Sequence, residues 1–237
     1  MANKPRVLVV IPAKTDLHPL LKQRCMELAL SLVGANPGLE LGLFFDWTSE
    51  PKLQDDRYHG SKIARIRNRI VDSVDLGRWD HFLWVDADVV QYPADMPSSL
   101  LALNPNGVSA PLVLIEEMGN RFYDVAAFVI KGRDVVDPTN RTITLGRNLS
   151  HDPPYWWPAS AMPKVGDSVA VPMDCVGTIT MVPTMLYRKG VRYVDHPAFT
   201  EHYPICKAAR DAGLPVTAHV NLLAYHACLP KYGENWH

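Results

Sequence analysis

No stretch of this sequence is apolar for long enough to cross a bilayer. The densest early run, Val7 to Ile11, stops at Pro12 and meets Lys14. A membrane-spanning helix needs roughly 18 to 20 such residues. The opening Met-Ala-Asn-Lys-Pro-Arg lacks the apolar stretch and small-residue cleavage site of a secretory signal. A soluble, cytoplasmic protein without an anchor is the expectation. Paired cysteines are missing too: Cys25, Cys175, Cys206 and Cys228 are scattered and form no CxxC. This signals neither a zinc site nor a disulfide framework and fits buried thiols. An excess of charge is also lacking, with 24 Lys and Arg against 25 Asp and Glu. Bulk attraction to nucleic acid or an anionic membrane is therefore not expected. Glycine, at 14, is outnumbered by proline, at 20, which points to rigid loops. There is no internal repeat and no low-complexity tract.

What is present is enough for a packed core. The 237 residues are 47% hydrophobic and 21% charged, which suits one folded domain over 1–237. Val7 to Ile11 reads as a buried strand, and Leu17, Leu20, Leu21, Leu28 and Leu32 then recur at helical spacing. Leu41 to Phe45 reads as a strand. Ser61 to Leu76 reads as a helix with Ile63, Ile66, Ile70 and Val74 on one face. Phe82 to Val85 is a third strand. Val108 to Ile115, Val125 to Ile130, Thr178 to Val182 and Val216 to Val220 are further strands. Short helices are expected at Met185 to Lys189 and Thr200 to Ala212. The alternation predicts an α/β fold with a mixed, mostly parallel sheet flanked by helices. From about 137 to 172 the chain carries Pro153-Pro154, Pro158, Pro163 and the cluster Tyr155-Trp156-Trp157. It reads as an ordered flap over the domain or a ligand.

The sharpest chemical signal is Phe82-Leu-Trp-Val-Asp86-Ala-Asp88. An apolar strand ends and two carboxylates emerge one residue apart. Ligands bind at the carboxyl ends of strands in such sheets, and residues i and i+2 share one side. Two close like charges raise each other's pKa, and a divalent cation relieves the repulsion. Hard oxygen ligands suit Mg2+ or Mn2+ bound together with substrate phosphates. Upstream, Lys62, Arg65 and Arg69 lie three and four apart on one helix face. Such a stripe can hold a diphosphate, or a nucleic-acid backbone, although nothing in the charge balance signals one.

Strand-terminal carboxylate pairs occur in two enzyme classes. One is the GT-A nucleotide-sugar glycosyltransferases with a DxD motif. The other is the haloacid-dehalogenase-type phosphatases and phosphotransferases, whose pattern Asp86-Ala-Asp88-Val-Val90 also satisfies, with Asp86 as nucleophile and Gly166-Asp167-Ser168 and Asp174 imitating a later motif. That fold starts with its motif, whereas residues 1–85 precede it here, so element order favours the transferase. A sugar-nucleotide nucleotidyltransferase is disfavoured because Pro12-Ala-Lys14 stands where a glycine-rich loop would follow the first strand. A non-catalytic binding module would not require both Asp86 and Asp88.

The stretch from Arg65 to Asp95, with Ala-Arg-Ile-Arg-Asn-Arg and Trp79-Asp-His-Phe-Leu-Trp-Val-Asp-Ala-Asp-Val-Val-Gln-Tyr-Pro, resembles GT-A glycosyltransferases. It is most similar to the fungal Golgi mannan-polymerase-subunit family, as are Asp174-Cys175-Val176-Gly177-Thr178 and Glu201-His202 before a helix. The likeness is discontinuous and covers about two thirds of the chain. It implies a GDP- or UDP-sugar donor, Mn2+ or Mg2+, and retaining transfer of a hexosyl group. It further implies Asp88 as the main metal ligand, Asp86 on the sugar, the ribose or the metal, and His226 as a third ligand. Pro12, Ala13 and Thr15 would flank the nucleotide, with Asp46 accepting from base or ribose and Trp47 stacking. Asp174, Glu201 and His202 would bind the acceptor or move its proton, although Glu201-His202 could equally just open the helix. The chain departs from the family in lacking a Golgi anchor and in placing His202 where a Glu-Asp pair is usual. The acceptor hydroxyl is left open among a glycan, a lipid carrier, a small molecule and a hydroxylated DNA base.

Overall fold

The computed structural model describes residues 3–12, 17–48, 59–117, 123, 135–136, 142–143, 170–194, 200–228 and 231. Strand β1 (Arg6–Pro12) is the run of β-branched residues that the sequence predicts, and its five central side chains are buried. Burial on both faces is worth about 1.5 to 3 kcal/mol per such side chain, so β1 sits mid-sheet. Helix α1 (Pro19–Ala35) follows, its first turn opened by Pro19 and capped by the His18 ring, which accepts from the Leu20 amide at 3.3 Å. Asn36 ends α1 and bonds the Leu32 and Ala94 carbonyls and the Ser98 amide. Strand β2 (Glu40–Asp46) then lies parallel to β1. Helix α2 (His59–Ser73) leads to β3 (His81–Val85), which pairs with β1 on its other side, again parallel.

Beyond β3 come the short strand β4 (Val89–Gln91), helix α3 (Met96–Leu103) and β5 (Val108–Ile115). A small separate ladder joins β6 (Val135–Val136) and β7 (Thr142–Ile143). Then follow β8 (Ala170–Pro172), β9 (Ile179–Pro183), α4 (Thr184–Arg188), α5 (Tyr203–Asp211) and β10 (Val216–His226). The eight-stranded sheet runs β2-β1-β3-β9-β5-β10-β4, with β8 also on β10. Strands β2, β1, β3, β5 and β10 run one way; β9, β4 and β8 oppose them. The sheet is thus mixed with a parallel majority.

Two apolar layers cover the sheet. Trp84, Phe82, Val10 and Leu112 pack with Ile70, Leu186, Ile205 and Ala209 of α2, α4 and α5. Val9, Leu83, Val113 and Met181 pack on the opposite face with Leu21, Leu32, Met96 and Leu100 of α1 and α3. Most expected elements are present with shifted ends. The last strand reaches His226 rather than Val220, and α5 starts at Tyr203. Strand β4 and helix α3 were not anticipated, since three and eight residues are too short to show a period. The expected strand at 125–130 and nearly all of the 137–172 flap lie outside the described residues.

The shared direction of five strands gathers their carboxyl ends on one rim. Pro12, Asp46, Asp86, Glu116 and His226 all follow or end strands on that side. One backbone position constrains the rim's support. A Cβ on Gly42 of β2 would lie 2.3 Å from the Trp79 ring, so the indole packs where a side chain would be. We expect Gly42→Ala to lose about 1 to 3 kcal/mol. Urea unfolding would check this, and an unchanged midpoint would show that the indole can move aside.

Candidate functional site

The rim is built around a buried cation that the basic-stripe reading passed over. Arg67 of α2 is 1% exposed. Its Nη2 donates to Asp86 Oδ1 at 3.0 Å. Its Nη1 lies 2.5 Å from His202 Nε2 and 3.5 Å from Glu201 Oε1. The guanidinium also stacks over the rings of Trp84 and Tyr193, at 5.6 and 5.3 Å. A charge here is tolerable only because two carboxylates face it. Burial alone would drive off the Arg67 proton, and Asp86 and Glu201 outweigh that.

The partners feel the same field. Burial works against ionisation of Glu201, but the adjoining His202 ring and Arg67 hold its carboxyl at about 2. His202 is pushed below the ordinary histidine value by burial and by Arg67. A neutral ring is what accepting from a guanidinium requires. Asp86 is pushed up to about 6, chiefly by burial; Arg67 opposes the shift and Asp88 adds to it. Behind the guanidinium, the Trp84 indole donates to Tyr187 Oη at 2.8 Å, and the Tyr187 and Tyr193 hydroxyls lie 2.8 Å apart. Asn68 clamps the Tyr193 backbone on both sides, at 2.7 and 2.8 Å.

Asp88 turns to a different partner. His226, the last residue of β10, places Nε2 at 3.1 Å from Asp88 Oδ1. Its Nδ1 lies 2.8 Å from the Ala227 carbonyl. A carbonyl only accepts, so Nδ1 carries the proton and Nε2 faces the carboxylate. Burial would lower the His226 pKa, but Asp88 and the Ala227 carbonyl raise it beyond that effect. The Tyr123 ring stacks on the imidazole with centroids 3.6 Å apart, and the Ala227 amide donates to the Asp88 carbonyl at 2.8 Å. The backbone of Asp86 is fixed as well: its amide donates to the Thr178 carbonyl at 3.3 Å. Thr178 has φ +51°, an unusual conformation for a β-branched residue, in the turn that feeds β9.

The other expected residues fall into place around these. Asp46 is buried; Oδ1 accepts from the Thr48 amide and hydroxyl, and Oδ2 accepts from Arg69 at 2.5 Å. Burial opposes its ionisation, but Thr48 and Arg69 keep its pKa below the usual carboxylate value. Trp47 stacks on Phe45 at 6.0 Å, with the Lys22 ammonium over its face. Pro12 pairs with Asp46 across β1 and β2. Lys62 and Arg65 are half-buried on α2. Ala13 and Thr15 lie outside the described residues.

Two expectations need correction. Asp86, Asp88 and His226 are not gathered as one set, because Arg67 draws the Asp86 carboxylate to itself. Among the described residues, no group of three or more His, Cys, Asp or Glu side chains is spaced to hold a metal ion. Nor does Asp174 share a site with Glu201 and His202. Its Oδ1 lies 3.6 Å from Arg210 Nε in the last turn of α5, and Arg210 also donates to its carbonyl. Glu201 and His202 precede the first turn of that helix.

No protein-family model matches the chain, and no curated protein does. The likeness to the mannan-polymerase subunits therefore rests on the residues quoted for it. Solved structures do match. The chain is similar to a crystal structure of GalNAc-T7 with UDP, GalNAc and Mn2+, at 10% identity and a TM-score of 0.51. The match covers 94% of this chain and 43% of that one, so the chain spans less than half of its length. A CMP:2-keto-3-deoxy-manno-octonic acid synthetase complexed with CTP matches at 13% identity and TM-score 0.43, over 94% and 90% of the two chains. A 4-diphosphocytidyl-2C-methyl-D-erythritol synthase from Anaerococcus prevotii matches at 8% and 0.42, over 93% and 87%. The first of these establishes the fold: this is an α/β domain of the GT-A, nucleotide-diphospho-sugar transferase type.

The Arg67 cluster carries a pH signature. A carboxylate held low in the folded state contributes stability above its unfolded pKa and loses it as pH falls through the folded value. For Glu201 that window runs from 4.5 down to about 2. We expect Glu201→Gln to cost roughly 3 kcal/mol at pH 7. The gap to the parent protein should close as pH falls from 4.5 towards 2. Urea titrations across pH 7 to 3 would check it, and a gap independent of pH would show that Glu201 does not act through its charge.

Proposed function

We propose that the chain is a metal-dependent glycosyltransferase, moving a hexosyl group from a GDP- or UDP-sugar to an acceptor hydroxyl. One observation carries this: Asp88 and His226 meet at 3.1 Å on the rim where the parallel strands end, with the imidazole fixed through Nδ1. A carboxylate oxygen and a backbone-anchored imidazole nitrogen are donors that Mn2+ accepts, and the diphosphate of a donor supplies further oxygens. Asp88 and His226 would hold the ion and Asp86 would touch the sugar or ribose. When bound, the cation would offset charge growing on the departing nucleotide diphosphate.

The chain's own groups have definable tasks. Arg67 fixes the Asp86 carboxylate, and Glu201 and His202 fix Arg67, so this pair positions rather than attacks. Tyr123 shields one face of His226. Asp46 with Trp47, beside Pro12, Ala13 and Thr15, forms the nucleotide side of the rim. Lys62, Arg65 and Arg69 supply positive charge near it. Asp174 orders the turn before β9 on the acceptor side. Retention of anomeric configuration follows from the resemblance to the mannan-polymerase subunits, and GalNAc-T7 crystallised with UDP and Mn2+ is compatible with a cation-assisted donor site.

The test is a thermal-shift panel of GDP, UDP, ADP and CMP, each with and without Mn2+. We expect GDP or UDP to stabilise the protein only with the metal, by about 2.7 kcal/mol at a hundred times Kd. Asp88→Ala and His226→Ala should abolish that metal-dependent increment and the turnover of a labelled nucleotide sugar. Stabilisation without metal, or an increment that survives Asp88→Ala, would overturn the proposal.

A further inference from the structure

We propose that the outer edge of β2, with the adjoining flank of α1, is a two-fold interface between two copies of this chain. The inference goes beyond the proposed chemistry and does not depend on it. Among the described residues β2 is the last strand of the sheet. Its Glu40 amide donates inward to the Pro5 carbonyl. Backbone groups alternate along a strand, so the N–H and C=O of Leu41, Leu43 and Phe45 face outward. An edge is usually blunted by lysine, proline or a bulge. Glu40-Leu-Gly-Leu-Phe-Phe-Asp46 has no lysine or proline, and its register with β1 is unbroken.

The outward row is self-complementary. In an antiparallel pair centred on Leu43, Leu41 meets Phe45 of the second copy, Leu43 meets Leu43, and Phe45 meets Leu41. All three pairs then have inward-facing N–H and C=O groups, as antiparallel hydrogen-bonded pairs require. Gly42 falls opposite Phe44, so an aromatic ring covers the bare glycine backbone. Charges agree as well. Glu40 of the second copy falls opposite Asp46, on the sheet face where Arg69 binds Asp46 and is about a third exposed. Arg69 then stands between two carboxylates.

A seven-residue strand pair alone is small beside the about 800 Å² per partner of a stable interface. The α1 flank extends it. Met26, Leu30 and Val33 are 48%, 62% and 50% exposed. With Lys22 they recur at i, i+4, i+8 and i+11, one side of the helix. The Lys22 ammonium lies over Trp47, just past β2, so this side overhangs the strand edge. A two-fold axis through Leu43 brings the two α1 flanks together across the joined sheet.

Analytical ultracentrifugation at micromolar concentration should give twice the 26.5 kDa chain mass. Leu43→Lys, which sets two like charges face to face, should give a monomer with unchanged circular dichroism. Independently, Leu43→Cys in a Cys228→Ser background should form an intermolecular disulfide under mild oxidation. Opposed residues in such a pair sit about 5.5 Å apart, within disulfide reach. Glu40→Cys in the same background should not, because the two copies of residue 40 would be about 20 Å apart. A monomeric parent protein, a dimer that survives Leu43→Lys, or cross-linking no faster for Leu43→Cys than for Glu40→Cys would overturn the interface.

Discussion

The rim depends on one buried positive charge. Arg67 sits where water does not reach, and an uncompensated guanidinium there would cost several kcal/mol. Its compensation comes from three directions in the chain: Asp86 after β3, and Glu201 and His202 before α5. Electrostatic necessity thus ties α2, the end of the central strand and the start of a distant helix into one unit. The aromatic wall of Trp84, Tyr187 and Tyr193 gives the guanidinium flat faces to stack on, and its buried hydroxyls and indole N–H satisfy one another. Replacing Arg67 by lysine would keep the charge and lose the planar fork that reaches all three partners.

Drawing Asp86 inward separates the two carboxylates that emerge together from β3. Asp88, two residues on, meets His226 at the end of β10, an element from the far end of the chain. The approach is held by backbone as well as side chains: the Ala227 amide bonds the Asp88 carbonyl, and the Glu116 amide bonds the His226 carbonyl. The register of β5 with β10 slips between His219 and Leu223. Such an irregularity re-aims side chains near the end of a strand, here the stretch that ends in His226.

Sequence periodicity reached the strands and helices that are long enough to show it, and strand ends located Asp86, Asp88, Asp46 and His226 at one rim. It did not reach direction. Nothing local to Ile179–Pro183 says that β9 runs against β3; that follows from Trp84 pairing with Thr180, residues 96 apart. Thr178, in a left-handed conformation, was equally hidden because its residue type argues for extended backbone. Arg67 was legible and was passed over. It lies four after Ile63 and three before Ile70, on the apolar face of α2, whereas attention to the stripe of Lys62, Arg65 and Arg69 followed charge alone. A cation at a core spacing is the better predictor of a buried partner. The Asp174–Arg210 pair joins a turn to a helix end, and no spacing rule connects them.

Charge balance at the rim bears on what can bind there. Arg67 is offset by Asp86 and Glu201, and Arg69 by Asp46. The described basic side chains nearest the strand ends are therefore largely compensated by the protein itself. A nucleotide diphosphate would bring further negative charge towards Asp88, whose partner His226 is a weak and titratable cation. The arriving anion and Asp88 would repel each other unless a divalent ion lay between them. An ion shared by carboxylate, imidazole and phosphate oxygens would turn that repulsion into the means of holding the donor. The same arrangement would make donor affinity depend on the metal more steeply than on any single lysine or arginine.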